Sequence, residues 1–304
     1  MNAAPAAALT YVYGVTPPAP GLDDVLSTLT GVAGCRVALI GAAPDAAGPP
    51  LVAFAVSDVP RAEFAEEVLP ERFEDLRWLE ATARAHHLVI EALAARTTVL
   101  PLRMATLYQD RSRAVRALSA QSPQFAARLA QLAAHTEYGV KIYVRGRAAG
   151  PDPDPAPAPD PAPEPAVERD GATGPSAGPG RAYLRARRAQ RDADEDHHRQ
   201  ARIAADRVAA IARRHSARHV SHPPQSGPLA ETGAEAAAGA GENVVNDAFL
   251  VPDAAAGAFR AAVRAAAADL PGVLLELNGP WAPYSFTAPP PPPEPPPPGR
   301  GPVS

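Results

Sequence analysis

The sequence predicts an α+β protein of two domains, and three observations carry that expectation. Residues 1–145 read in order as strand, helix, strand, strand, further helices and a closing strand. Residues 181–287 hold a second mixed pattern, a long helix followed by strand, helix and strand. Residues 146–180, between them, carry Pro-Asp and Pro-Ala repeats without an apolar period, the composition of an extended spacer. A chain of 304 residues has room for both cores.

In the first domain, Leu9, Tyr11, Tyr13 and Val15 alternate on one face of a strand, which Gly14 and Pro17-Pro18 end. Leu22, Val25, Leu26 and Leu29 recur at helical spacing. Gly31 and Gly34 then reset the chain into strands over 36–40 and, past a Pro/Gly turn, 51–57. Asp58 and Pro60 open a short helix with Phe64 and Val68. A long helix starts at Asp75, with Leu76, Leu79, Ala83, His86 or His87, Ile90 and Leu93 on its apolar stripe. Residues 99–103 are too apolar for a surface loop, and Pro101 forbids a helix, so they cross the sheet in extended form. Asp110 opens the next helix; Ser122-Pro123 reads as a cap that restarts it, with Phe125, Leu129 and Leu132 facing inwards. Tyr138, Val140, Ile142 and Val144 close the domain as the apolar face of a strand whose other face carries Glu137 and Lys141. The order β-α-β-β-α-β with an extra helix fits a ferredoxin-like α+β sandwich.

The second domain opens with a helix of up to forty residues from Arg181. Tyr183 and Leu184 begin an apolar face and Ile203, Val208 and Ile211 resume it, but 185–202 offers no large apolar residue and is expected to be exposed. A loop over 223–241 follows, then a strand over 243–251. Phe259, Ala262, Val263 and Ala266 mark a helix face, and 273–277 is a strand. It leads into Gly279-Pro280-Trp281-Ala282-Pro283-Tyr284-Ser285-Phe286, where prolines fix φ around the rings and leave them little freedom to lose. These rings either close a core or face a partner. Residues 288–304 are a Pro-rich tail, with nine of the 38 prolines inside 289–298.

The net charge of −4 is unevenly placed: 181–222 carries 11 basic against 5 acidic side chains. One cysteine, Cys35, excludes an intramolecular disulfide framework and suits a cytoplasmic protein. The first residues lack a basic stretch followed by an apolar one, and no apolar run reaches membrane-spanning length, so neither secretion nor a membrane span is expected.

Three constellations bear on chemistry. His215, His219 and His222 stand at i, i+4 and i+7, the spacing of a metal-binding helix face, without a cysteine or acidic ligand nearby to complete it. His86, on the apolar side of its helix, reads as a core histidine or a general base, and no nucleophile is visibly paired with it. The arginines from Arg181 onward suit nucleic acid or an anionic surface, although acidic residues at 192–196 interrupt them. No Gly-rich phosphate loop or nucleophile elbow is present, so neither catalysis nor a cofactor is called for.

Seven segments in order resemble one family, the gas vesicle protein F/L family. They are Tyr11-Val12-Tyr13-Gly14; Ala85-His86; Val99-Leu100-Pro101-Leu102-Arg103; Glu137-Tyr138-Gly139-Val140-Lys141; Arg181, Tyr183, Leu184 and Arg187; Asn246 with Ala248-Phe249-Leu250-Val251; and Gly279 to Phe286. This chain departs from the family pattern at His87 (acidic in the pattern), Met104-Ala105 (aromatic-Gly), Tyr138 (Trp) and Ala282 (Pro).

The resemblance implies a two-domain accessory protein, with an N-terminal ferredoxin-like domain, that binds the small hydrophobic gas vesicle shell protein during assembly and works beside other accessory proteins. Arg103, Glu137, Tyr138, Lys141, Arg181, Tyr183, Arg187, Trp281, Tyr284 and Phe286 are its candidate interaction residues. The competing readings are a His- or metal-dependent enzyme module and an Arg-rich nucleic-acid or surface binder. The sequence leaves the oligomeric state open.

Overall fold

The computed structural model describes residues 8–41, 51–144, 179–224 and 241–288, without the side chains of 179–182. The spacer, the 223–241 loop and the tail lie, but for their margins, outside the described residues. Divided by contacts, the described residues up to Tyr138 form a first unit together with Leu250–Ala256 and those from Gly279 onward; Gly139–Phe249 and Gly257–Asn278 form the second.

The first unit is organised on an antiparallel sheet. Its strands are β1 (Ala8–Thr16), β2 (Ala38–Gly41), β3 (Ala53–Pro60) and β4 (Leu100–Pro101), in the order β2-β3-β1-β4, with β5 (Leu107–Tyr108) also paired to β1. The fourth strand is thus the short apolar segment at Pro101. The strand expected to close this sheet, β6 (His135–Val144), belongs instead to a second sheet.

Both faces of β1 and β3 are buried. Leu9, Tyr11 and Tyr13 pack on one side with Val89, Ile90 and Leu93 of α4 (Leu76–Ala94) and with Leu22 and Leu26 of α1 (Leu22–Ser27). Phe54 meets Phe125 of α5 (Arg111–Leu132) edge-on, with ring centroids 5.8 Å apart. Two short helices, α2 (Arg61–Phe64) and α3 (Leu69–Glu74), join β3 to α4.

Three expectations need correction here. Val15 does not share the face of Leu9, Tyr11 and Tyr13. A bulge between Val12 and Gly14 sets Val15 opposite Phe54, because one extra residue in a strand reverses the alternation beyond it. Pro123 does not divide α5: Ala114, Leu118, Phe125, Leu129 and Leu132 stay in helical phase across it, and burial of that stripe outweighs the lost backbone bond. Leu76 is 71% exposed, since the buried stripe of α4 runs through Thr82, His86, Val89, Ile90 and Leu93. Asp75 and Asp110 cap α4 and α5, accepting hydrogen bonds from backbone N–H groups of their first turns.

A chain of buried hydrogen bonds locks the β1 face. The Val32 N–H donates to the Tyr13 hydroxyl at 2.8 Å, Tyr13 donates to Ser57 Oγ at 2.8 Å, and Ser57 donates to the Arg36 carbonyl at 2.9 Å. Gly31 lies against this chain, where a Cβ would overlap the Tyr13 hydroxyl and come 2.9 Å from Ser57 Oγ. Gly31→Ala is therefore expected to lower stability by about 1–3 kcal/mol, as overpacking does, measured as a lower urea midpoint at unchanged slope.

In the second unit, α6 (Pro179–His215) buries Ala201, Ala204, Val208 and Ile211. Phe249 of β8 (Glu242–Pro252) packs on Phe259 of α7 (Ala256–Ala265) with centroids 5.7 Å apart. The second sheet runs β7-β8-β6-β9, with β7 at Arg218–Ser221 and β9 at Val273–Trp281. Because α6 ends at His215, the three spaced histidines do not share a helix. His219 sits on β7, stacked on Phe249 at 4.8 Å and 3.1 Å from an Asp247 oxygen.

Candidate functional site

The aromatic segment belongs, by contacts, to the first unit rather than to the 181–287 domain expected from its position in the chain. Ala282 and Tyr284 are the physical reason, because they join the N-terminal core that contains Tyr11, Tyr13 and Ile90. A buried carboxylate completes the anchor. Glu137 is only 4% exposed; one carboxylate oxygen accepts from the Ser285 N–H at 2.8 Å and the other from Ser285 Oγ at 2.7 Å. Burial pushes its pKa up, and the two Ser285 bonds oppose that shift.

Gly279 makes the approach possible. Its φ of 109° is a conformation that L side chains rarely adopt, and a Cβ there would lie 2.8 Å from the Glu137 carbonyl. The Gly279-Pro280 peptide is cis. A second tie comes from His87, whose Nδ1 is 3.0 Å from the Tyr284 hydroxyl and whose Nε2 is 3.1 Å from Glu91. Burial, with the Glu91 and Glu137 charges, raises the Tyr284 pKa, so the phenol stays neutral. At position 87, where the family pattern prefers an acid, this chain thus has an imidazole between a phenol and a carboxylate.

His86 faces the core. The Ala105 N–H donates to the Tyr11 hydroxyl at 3.2 Å, which leaves Tyr11 to donate to His86 Nδ1 at 2.8 Å. The other ring nitrogen is left to donate to the Leu102 carbonyl. Burial lowers the His86 pKa to about 4, and His87 adds a smaller push in the same direction. With both nitrogens engaged in holding β1, α4 and the 102–105 turn together, this imidazole is built as a strut.

Trp281 differs from its neighbours. Pro283 and Ala282 are buried and Phe286 is 2% exposed, but Trp281 is 42% exposed. It stands on the wall of a cleft of 530 Å³ whose other walls include Ala94, Thr97, Thr98, Ala134 and Pro280. Thr136 donates to Asp253 at 2.7 Å and the Asp253 N–H donates to the Ala134 carbonyl at 2.9 Å, which fixes one rim.

The remaining expected residues scatter. Tyr138 is buried, Lys141 is half-buried, and Arg103, Tyr183 and Arg187 are exposed. The Arg181 side chain lies outside the described residues. Ser285 and the cleft residues Ala94, Thr97, Thr98 and Ala134 were not among the candidates from sequence; Ser285 sits inside the aromatic motif, whereas nothing local marks Thr97, Thr98 or Ala134 as neighbours of Trp281. Among the described residues, no group of three or more His, Cys, Asp or Glu side chains is placed to hold a metal ion. Nor is any helix among them long and apolar enough to cross a membrane.

The fold and the anchored segment define an α+β protein of two units with antiparallel sheets, whose C-terminal segment adds Ala282 and Tyr284 to the N-terminal core and leaves Trp281 exposed beside a cleft. The family model described as gas vesicle synthesis protein GvpL/GvpF matches residues 9–288, and the chain belongs to this family. Gas vesicle protein L of Streptomyces sp. (strain CB03234) is 37% identical over 229 residues, covering 75% of this chain and 77% of that one. The crystal structure of the gas vesicle protein GvpF from Anabaena sp. PCC7120 superposes with a TM-score of 0.57 at 17% identity, covering 92% of this chain and 96% of that chain. That of GvpF from Microcystis aeruginosa gives 0.53 at 16%, covering 93% and 99%. Those structures share the mixed α/β fold, and family membership supports an accessory role in gas vesicles.

Proposed function

We propose that this protein is a non-catalytic, cytoplasmic assembly factor that engages the hydrophobic gas vesicle shell protein through Trp281 and the cleft beside it, and so assists nucleation or growth of the vesicle. The observation that carries this reading is the exposed indole held on a stiff, anchored backbone. Pro280 and Pro283 flank it, Ala282 is buried in the core, and the Glu137–Ser285 bonds fix the turn that follows. A large ring displayed in this way gains contact area at little entropic cost. An apolar subunit that polymerises needs such transient cover against premature aggregation.

Trp281→Ala is the test. Because Trp281 is partly exposed, the variant is expected to keep the fold and to lose about 2 kcal/mol of stability, less than deletion of a fully buried ring. Capture of the shell protein from a co-expressing cell is expected to fall about tenfold or more, the scale of an interface hot spot. Undiminished capture by the variant would remove the proposed face. Absence of any association in the wild type, together with normal vesicles after deletion of the gene, would remove the function.

A further inference from the structure

Residues 183–195 of α6 are exposed on every side, in a helix of 37 residues that is about 55 Å long. Their charges come in two blocks. Arg185, Arg187, Arg188 and Arg191 are followed at once by Asp192, Asp194, Glu195 and Asp196. In a lone helix this order is unfavourable. The N-terminal end prefers acidic residues, yet the first turn of α6 has none, and i,i+4 pairs are better with the acid on the N-terminal side. The side chains of Arg187, Arg188, Arg191, Asp192, Asp194 and Glu195 have no ion-pair partner among the described residues, whereas Asp196 is taken by Arg199 and Gln200.

Leu184, Arg188, Arg191 and Glu195 recur at i, i+4, i+7 and i+11 and so form one stripe, on the side of α6 away from the buried Ala201, Ala204 and Val208. Leu184 is 61% exposed. Taken with Asp192 and Arg199 along its edge, the stripe is complementary to itself only when reversed. We propose that α6 pairs antiparallel with α6 of a second copy about a two-fold axis between Arg191 and Asp192. That axis sets Arg188 opposite Glu195 of the second copy and Arg191 opposite Asp192 of the second copy, with Leu184 covered by the stem of Arg199 of the second copy. Parallel pairing would place arginine against arginine. An acidic partner of another kind would match the arginines and leave the acidic block unmatched, so a second copy is the occupant that satisfies both. Exposed pairs are individually weak and screened by salt, so the dimer is reversible and salt-sensitive.

Sedimentation of the full-length protein tests this. A concentration-dependent dimer is expected at about 0.05 M salt, with its dissociation constant raised about tenfold or more at about 0.5 M. A variant with Arg187→Glu, Arg188→Glu and Arg191→Glu, and a second with Asp192→Lys, Asp194→Lys and Glu195→Lys, are each expected to be monomeric. Mixed in equal amounts, they are expected to form a heterodimer. A wild type that stays monomeric at every concentration and salt level overturns the proposal, whatever else it binds. So does dimerisation of either variant alone as strong as that of the wild type, or a mixture that remains monomeric.

Discussion

Phe286→Ala is expected to cost about 3–5 kcal/mol of stability, the range for deleting a fully buried aromatic ring. Phe286 is 2% exposed at the end of a turn whose hydrogen bonds to Glu137 are already made. Removing the ring leaves a void beneath a segment that cannot collapse freely, because Ala282 and Ser285 hold the residues that lead into it. Chemical unfolding should show the loss as a lower midpoint. A loss below about 1 kcal/mol would mean that the segment is not part of the core. The contrast with Trp281→Ala, five residues earlier, is the sharper result: within one motif, one ring is expected to carry more of the stability and the other the contact. The sequence offered core closure and partner contact as alternatives for the whole segment; burial divides the two roles between its rings.

That division shows what was legible in the chain and what was not. Periodicity located β1, β3, α4, α5, β6 and the long α6 because each buries a stripe several residues long, and a repeated apolar pattern survives small local irregularities. What escaped it were single-residue events and long-range partners. The bulge at Tyr13 moved Val15 to the other face; Gly14 beside it is the residue type that marks a bulge, but the same glycine also reads as the end of a strand. The aromatic segment is far from Glu137 in sequence, so a strand position read as a polar face turned out to hold a buried carboxylate. Position 101 illustrates the reverse case. Its proline excluded a helix and its apolar neighbours excluded the surface, which was enough to expect an extended, buried segment, and β4 is such a segment. The cleft beside Trp281 is the least legible feature, since its walls come from separate stretches of the chain with no shared local signal.

Stability is expected to fall by about 3 kcal/mol between pH 6.5 and pH 4 through His86 alone, at about 1.4 kcal/mol per pH unit. In the folded chain this imidazole has a pKa lowered to about 4 by burial, whereas in the unfolded chain it protonates at its ordinary 6.5. Between those values the unfolded state binds the extra proton, so stability rises with pH and is lost as pH falls. Glu137 acts with the opposite sign. Its folded pKa is raised above the ordinary 4.5, so from that raised value down to 4.5 the folded state takes up the proton first and acidification favours folding. The wild-type profile contains both contributions, and two substitutions separate them. A glutamine at position 86 has an oxygen to accept from Tyr11 and an amide to donate to the Leu102 carbonyl, without a titrating group. His86→Gln should therefore flatten the loss from pH 6.5 to 4, even if its stability at pH 7 is lower. Glu137→Gln should steepen that loss by removing the opposing gain. Urea midpoints at pH 7, 5.5 and 4.5 for the three chains decide the matter. An equal slope in the wild type and His86→Gln would show that His86 takes up its proton as readily in the folded chain as in the unfolded one, and that burial and the Tyr11 hydroxyl do not hold it neutral.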